Sequence, residues 1–199
     1  MRVLTIGHSS RTAREFLDLV TASGIAHIAD IRHFPGSRAH PHFGQGALRA
    51  GLASIGVGYT HFPRLGGRRR PDPAAGDRNA GWEHSAFRGF ADYARTPEFA
   101  AGLEELLGLA AGRTTAMMCS EAVWWRCHRR IVTDYLLVRG VAVEHVLGPG
   151  QVRAAILTPF ARPGADGIIE YAPAPRGDSL FGGAHEGGEP GAANFPGTG

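Results

Sequence analysis

Apolar residues along the first 150 positions form short runs, and these runs alternate with amphipathic segments. The runs are rich in β-branched residues and predict five strands, at residues 2–7, 25–31, 57–62, 114–119 and 141–147. The segments between them carry apolar side chains at helical spacing and predict five helices, at residues 12–23, 45–55, 87–95, 98–111 and 124–139. Strands that alternate with helices indicate an α/β fold.

The strands are apolar on both faces, so helices should cover the sheet on both sides. We therefore predict a single three-layer domain over residues 1–172, with a mostly parallel five-stranded sheet in the order 3-2-1-4-5. In such sheets ligands bind outside the carboxyl ends of the strands, at the point where the strand order reverses. The polar residues that follow strands one, two and four should therefore share one crevice.

Residues 173–199 consist of Gly, Pro, Ala and acidic residues with few hydrophobes, and we expect this tail to be disordered. No apolar run approaches the roughly 20 residues that a membrane span needs. The first residues enter a strand pattern directly and lack the features of a signal peptide. We therefore expect a cytoplasmic protein with no membrane partner.

The formal net charge is +3, and all 21 basic residues are arginine. A GC-rich genome explains an arginine-only composition, because it also enriches Ala, Gly and Pro. Phosphate recognition explains it as well, because the guanidinium group offers two parallel hydrogen bonds to one anion. The positions of the arginines must decide between the two explanations.

Reactive side chains concentrate in residues 119–129, Cys-Ser-Glu-Ala-Val-Trp-Trp-Arg-Cys-His-Arg. Cys119 ends a predicted buried strand, and a helix that begins after Ser120 would present free N–H groups to an anion. The spacing is not that of a tyrosine phosphatase, whose loop needs an arginine where this chain has Trp125. We predict Glu121 as nucleophile or general base, with His128 as its proton partner and Cys119 as a further catalytic candidate. Ser120, Arg126 and Arg129 are predicted to bind the anionic groups of a substrate.

Two earlier segments should reach the same crevice. His8 and Ser9 follow strand one, and His8 is predicted to exchange protons with Glu121. Asp30 and Arg32 alternate at the end of strand two, where they bind substrate or pair with each other. Arg38, in the loop that follows, is predicted to bind an anion.

Cys119, Cys127 and His128 could offer three metal ligands, but their spacing matches no familiar zinc motif. Cys127 also lies on the apolar stripe of its predicted helix, which is typical of a small buried hydrophobe. We therefore expect neither a metal nor another cofactor.

Four ordered motifs across residues 2–160 resemble the domain of unknown function 488 family. They are Thr5-Ile-Gly-His-Ser9; Asp30-Ile-Arg32 with Phe34-Pro-Gly-Ser-Arg38; Tyr59-Thr-His-Phe-Pro63 with Leu65-Gly-Gly-Arg68; and Cys119-Ser-Glu121 with Arg126-Cys-His-Arg129. The resemblance implies a compact α/β domain and supports the positions of the candidate site. It implies no particular reaction.

The leading hypothesis is an enzyme that acts on a phosphorylated, nucleotide-like or nucleic-acid substrate, either as a hydrolase or as a glycosidic-bond transferase. Its partner would be an anionic small molecule or a nucleic acid. One alternative is a noncatalytic nucleic-acid-binding or regulatory module, whose arginines would spread over a convex face. The other is a thiol or metal sensor that acts through Cys119, Cys127 and His128.

Overall fold

The computed structural model describes residues 1–36 and 39–173. Within this part the helices are α1 Ala13–Ala22, α2 Gln45–Ser54, α3 Ser85–Tyr93, α4 Pro97–Ala110 and α5 Arg129–Val138. The strands are β1 Arg2–Gly7, β2 His27–Asp30, β3 Gly58–His61, β4 Thr115–Cys119, β5 Ala142–Gly148, β6 Gln151–Ala154, β7 Arg162–Pro163 and β8 Ile169–Glu170.

Six of the strands form one sheet in the order β3-β2-β4-β1-β5-β6. The first five strands run parallel to one another, and β6 returns antiparallel along the edge of β5. The last two strands, β7 and β8, pair as a separate short ribbon. The predicted α/β class with a mostly parallel sheet is confirmed.

The predicted strand order differs from the observed one in two respects. First, β4 lies next to β2, and β1 lies between β4 and β5, whereas the predicted order 3-2-1-4-5 had β1 next to β2 and β4 next to β5. Second, β6 adds a sixth strand at the edge. The exchange was not readable from the sequence, because β1 and β4 are both buried and apolar and their patterns do not specify their neighbours. All of β6 is exposed, so it lacks the apolar run that predicts a strand.

Helices cover both faces of the sheet, as predicted. Successive side chains of a strand point to opposite faces, and β1 shows this by sending Leu4 and Ile6 into one core cluster and Val3 into the other. The first cluster contains the apolar residues of α1 and α2. The second contains those of α3, α4 and α5. The domain therefore has three layers and two cores.

Local signals in the sequence set the helix ends closely. Thr12 caps α1 through a capping box with Glu15, and Gly24 follows the helix with a φ of 62°, a conformation that glycine adopts without strain. The predicted helix over residues 124–139 is wrong in its first part. Residues Trp124–Arg126 form a single 3₁₀ turn, and α5 begins only at Arg129.

Residues 37–38 and 174–199 lie outside the described part, so the predicted binding role of Arg38 and all of the predicted tail except residue 173 fall there. Among the described residues no helix is both long and apolar enough to cross a membrane.

Candidate functional site

A crevice of about 1210 Å³ opens at the carboxyl ends of β1, β2 and β4. These three strands are adjacent in the sheet, with β4 in the middle. The crevice is lined by residues from four parts of the chain: His8 and Ser9; Arg32, His33, Phe34, Gly36 and His40; Gly67, Arg68, His84, Ala86 and Phe87; and Cys119, Ser120, Glu121, Trp125, Arg126, Cys127 and His128.

The loop that follows β4 is fixed against the end of β1. The backbone N–H of His8 donates to the Cys119 carbonyl at 3.0 Å, and that of Ser9 donates to the Ser120 carbonyl at 2.8 Å. Gly7 is required for this approach, since a Cβ there would lie 2.8 Å from the Glu121 carbonyl carbon and closer still to its oxygen. Close backbone contact is a role that only glycine fills.

Arg129 holds the same loop from below. Its side chain is 1% exposed, its Nη2 donates to the Glu121 carbonyl, and its Nε donates to Cys127 Sγ at 3.4 Å. The predicted role of Arg129 in substrate binding therefore needs correction, because the guanidinium is buried and does not line the crevice. It positions the loop instead.

Trp124 anchors the far side of the loop. Its ring stacks on His145 of β5, with 4.3 Å between the ring centroids and planes 7° apart. The 3₁₀ turn is thereby attached to the sheet, and the neighbouring Trp125 faces the crevice, where it is 46% exposed. Because the segment from Ser120 to His128 is a loop, the predicted anion site at a helix N-terminus after Ser120 does not exist.

His8 lies at the floor of the crevice and is buried. It stacks on Phe43 at 4.1 Å, its Nδ1 lies 2.9 Å from the Ser9 carbonyl, and its Nε2 lies 3.5 Å from Arg32 Nη1. A carbonyl only accepts, so Nδ1 carries the proton and Nε2 is an acceptor. Burial, with a smaller contribution from the Arg32 charge, lowers the pKa of His8 to about 4, so the ring is neutral at pH 7.

Asp30 and Arg32 pair with each other. Asp30 is fully buried and accepts hydrogen bonds from Arg32 Nε and Nη2 and from the Tyr59 hydroxyl, at 2.6–3.1 Å. Contrary to its predicted role in substrate binding, Asp30 does not line the crevice, because these partners occupy its carboxylate. Arg32 does line the crevice, and its Nη1 donates to the Phe43 carbonyl at 2.9 Å. Although burial opposes the charge, the hydrogen bonds and charge of Asp30 raise the pKa of Arg32.

Two thiols and an imidazole converge in the wall of the crevice. The Sγ atoms of Cys119 and Cys127 lie 3.9 and 3.6 Å from His128 Nδ1, and both cysteines are free and buried. His128 Nε2 lies 2.9 Å from the carbonyl of Ile31, so Nε2 bears the hydrogen and Nδ1 presents its lone pair to the sulfurs. A Cβ at Gly67 would lie 2.8 Å from Nδ1, so the backbone there fixes the position of the ring.

The two thiols differ in acidity because their neighbours differ. Burial opposes ionisation of Cys127, but the hydrogen bond from Cys119 and the nearby positive charge of Arg129 outweigh it and lower the pKa of Cys127 to about 6. The hydrogen bond to Cys127, together with burial, raises the pKa of Cys119 to about 12. The Arg129 guanidinium beside Cys127 therefore favours the thiolate on that residue, whereas the sequence had indicated Cys127 as a core residue or a possible metal ligand.

The rim of the crevice combines cations with exposed aromatic rings. Arg68 and Arg126 are exposed, Phe34 is 64% exposed, and the Arg68 guanidinium lies 5.9 Å from the centre of the Phe34 ring. Among the described residues that line the crevice, Glu121 is the single carboxylate, and it is exposed. Phe34 and Arg68 were not among the predicted site residues, although both lie in the motifs that resemble the family.

Of the described residues predicted for the site, all but two share the crevice. The structure brings together His8, Ser9, Arg32, Cys119, Ser120, Glu121, Arg126 and His128. It leaves Asp30 and Arg129 behind the lining, where each supports a residue or segment that does line the crevice. The catalytic and binding roles of the eight residues that line the crevice stay predictions.

A protein-family model, described as domain of unknown function DUF488, matches residues 12–136, which is more than half of the chain. The chain belongs to this family. The matched part of this DUF488 protein extends from α1 into α5 and contains β2, β4 and the two cysteines. Comparison with the curated proteins and with the solved structures gave no match.

Proposed function

We propose that the crevice binds a phosphorylated, nucleotide-like or nucleic-acid substrate and that the protein is an enzyme acting on it. The observation that carries the proposal is the pairing of guanidinium groups with exposed aromatic rings around one carboxylate. Arg68 and Arg126 suit phosphate groups, since arginine forms charge-assisted bonds to their oxygens. Phe34 and Trp125 suit stacking of a base.

Arg32 contributes positive charge at the floor of the crevice. Its Nε and Nη2 are held by Asp30, so it cannot offer the usual two-pronged contact to a phosphate. The Asp30 carboxylate also offsets the charge of Arg32 at a distance, so Arg32 attracts an anion only at short range. In this proposal Arg126 contacts the anionic end of the substrate directly, and Arg32 adds a weaker attraction from the floor of the crevice.

Glu121 is proposed as the nucleophile or general base of a hydrolase or glycosidic-bond transferase. It is exposed to the crevice, and its backbone is held by the Arg129 side chain. His8 is neutral at pH 7 with its free Nε2 toward Arg32, which supports a role in orienting that cation more than a role as a strong base. Two buried free thiols also agree with the proposed cytoplasmic location, where thiols stay reduced.

Binding can be tested with a panel of nucleoside mono- and diphosphates and a single-stranded oligonucleotide, by calorimetry at fixed salt. Arg126→Ala should weaken the best ligand by about tenfold, the value of roughly one charged hydrogen bond. Arg14→Ala is the matched control, because Arg14 is 88% exposed on α1 and does not line the crevice. Equal weakening by both variants would mean that only general charge matters.

Catalysis can be tested on the ligands that bind, by chromatography of their products. Glu121→Gln should abolish turnover and keep binding. Glu104→Gln is the matched control, because it makes the same change at an exposed glutamate on α4, and it should alter neither turnover nor binding. Binding without any turnover that depends on Glu121 would contradict the enzyme and favour a noncatalytic nucleic-acid-binding module.

A further inference from the structure

Three potential metal ligands meet in the wall of the crevice. The ligand atoms of Cys119, Cys127 and His128 all lie within 4.8 Å of one another. A tetrahedral zinc ion with Zn–S bonds of about 2.3 Å and Zn–N bonds of about 2.05 Å requires sulfur and nitrogen ligands roughly 3.6 Å apart. The two observed sulfur–nitrogen separations are 3.6 and 3.9 Å, so each sulfur lies near the distance from His128 Nδ1 that a shared zinc ion requires.

The imidazole is already oriented for coordination. Metal-binding histidines usually donate their second ring N–H to a carbonyl or carboxylate, which fixes the tautomer and the ring plane. His128 makes this contact through Nε2 to the Ile31 carbonyl and directs Nδ1 at both sulfurs. The ring is also confined by the Gly67 backbone and by the edge of Phe90, whose centroid lies 4.9 Å away.

The charges around the cluster suit a divalent ion. Two thiolates neutralise a dication, and the Arg129 guanidinium donates to Cys127 Sγ, which stabilises the thiolate form. Sulfur and imidazole ligands together select soft and borderline metals such as zinc over magnesium or calcium. Carboxylate oxygens, which the latter prefer, do not belong to the cluster within the described residues.

We propose that Cys119, Cys127 and His128 bind one thiophilic divalent metal ion, best matched by Zn²⁺, and leave a fourth position open to the crevice. Both sulfurs would bind as thiolates, so any thiol proton that they still carry would pass to solvent, and two metal–sulfur bonds and one metal–nitrogen bond would form. Because all three residues line the crevice, the open position faces it, and a water molecule would fill it. Three protein ligands with one open position are the arrangement of catalytic zinc sites, whereas structural sites are closed by four.

The sequence predicted no metal because the ligand spacing matches no zinc motif. The fold supplies what the spacing does not. Cys119 ends β4, and His128 is the N-cap of α5, so a loop of eight residues returns the second thiol and the imidazole to the strand end.

The test uses the full-length protein, kept reduced, stripped with a chelator and then titrated with Zn²⁺ alone in competition with a chromophoric chelator. One zinc per chain is expected. Cys119→Ser and Cys127→Ser should each weaken zinc binding by at least about 100-fold. Loss of a residue that only hydrogen-bonds to a metal ligand costs up to about 100-fold, and loss of a ligand itself should cost at least as much. His84→Asn is the matched control. It removes another histidine that lines the crevice, keeps a good N-cap residue for α3, and should alter affinity by less than about threefold.

A second measurement covers the case in which a cysteine variant fails to fold. The unaltered protein loaded with Co²⁺ should show an intense sulfur-to-cobalt charge-transfer absorption, and Zn²⁺ should displace it. Absence of that absorption would overturn the proposal, as would stoichiometric zinc that survives both cysteine substitutions, or a Cys119–Cys127 disulfide that persists under reductant. None of these measurements uses a phosphorylated ligand, so their outcome is independent of the proposed enzymatic function.

Discussion

Acidification should destabilise the protein through His145, which lies in the sheet under the candidate site. The ring is 1% exposed, its Nδ1 lies 2.8 Å from the Thr5 hydroxyl, and its Nε2 has no partner among the described residues. Burial, assisted by the positive charges of Arg129 and Arg153, lowers the pKa of His145 to about 4. The His145 ring therefore binds a proton less readily in the folded protein than in the unfolded chain.

The magnitude follows from the two pKa values. An unfolded histidine titrates near pH 6.5, so at pH 5 the unfolded state binds nearly one proton more than the folded state. The stability contributed by the neutral ring is present above the unfolded pKa and is lost as the pH falls through 6.5 toward 4. For pKa values of about 6.5 and 4, the loss between pH 7 and pH 5 is about 2 kcal/mol. That is a large share of the roughly 5–15 kcal/mol that stabilises a typical domain.

The assay is urea unfolding of the parent and of His145→Gln at pH 7 and pH 5. The substitution also removes the stacking on Trp124, so the informative quantity is the change in unfolding free energy between the two pH values. The parent should lose about 2 kcal/mol more than the variant, because only the parent carries the buried His145 ring, whereas His8, His27 and His33, whose pKa values are also lowered, are present in both. His84→Asn, which removes an exposed ring, should behave as the parent. If His145→Gln lost as much stability as the parent to within about 0.5 kcal/mol, burial of His145 would not be the cause.

Three further predictions, one of them with a control substitution, test how the crevice is built. Gly7→Ala should displace the loop at the Glu121 carbonyl and destabilise the protein by about 2 kcal/mol or more. Gly108→Ala, in open space on α4, is the control and should stabilise the protein by about 0.5–1 kcal/mol. Thermal unfolding distinguishes the two variants, and equal effects would refute the close approach at Gly7. Tyr59→Phe should cost about 1–2 kcal/mol in urea unfolding, because a buried carboxylate loses a hydrogen bond, and an unchanged midpoint would contradict this. Asp30→Asn should cost about 3–5 kcal/mol by the same assay, because it leaves a buried guanidinium without its counter-charge, and a loss below about 1 kcal/mol would show that the pair is not needed.

The parts of the site that follow strand ends were predictable from the sequence. His8, Arg32 and Cys119 each end or follow a buried apolar run, and parallel strands bring such ends to one edge of the sheet. The crevice was located correctly although the strand order was not, because β1, β2 and β4 are adjacent in either order.

The contacts made through backbone atoms were not predictable. The Arg129 side chain binds the carbonyl of Glu121, and the His128 ring binds the carbonyl of Ile31, 97 positions earlier. No residue type records which carbonyl lies within reach, so sequence reasoning placed Arg129 at the ligand instead of behind the loop. The N-terminal turn of the predicted helix was also misjudged, because tertiary stacking of Trp124 on His145 overrides local helix preference.

The central position of β4 has a consequence for how the chain folds. Both neighbours of β1 in the sheet, β4 and β5, begin after residue 114, and β2 has only the edge strand β3 as an earlier partner. A chain emerging from the ribosome therefore cannot assemble the middle of its sheet until synthesis has passed β4, which ends at Cys119. Pairings between such distant segments form slowly, because the entropy cost of closing a long loop comes before any stabilising contact is made. The crevice forms only when β4 inserts between β2 and β1, so an N-terminal fragment that ends before β4 cannot contain it.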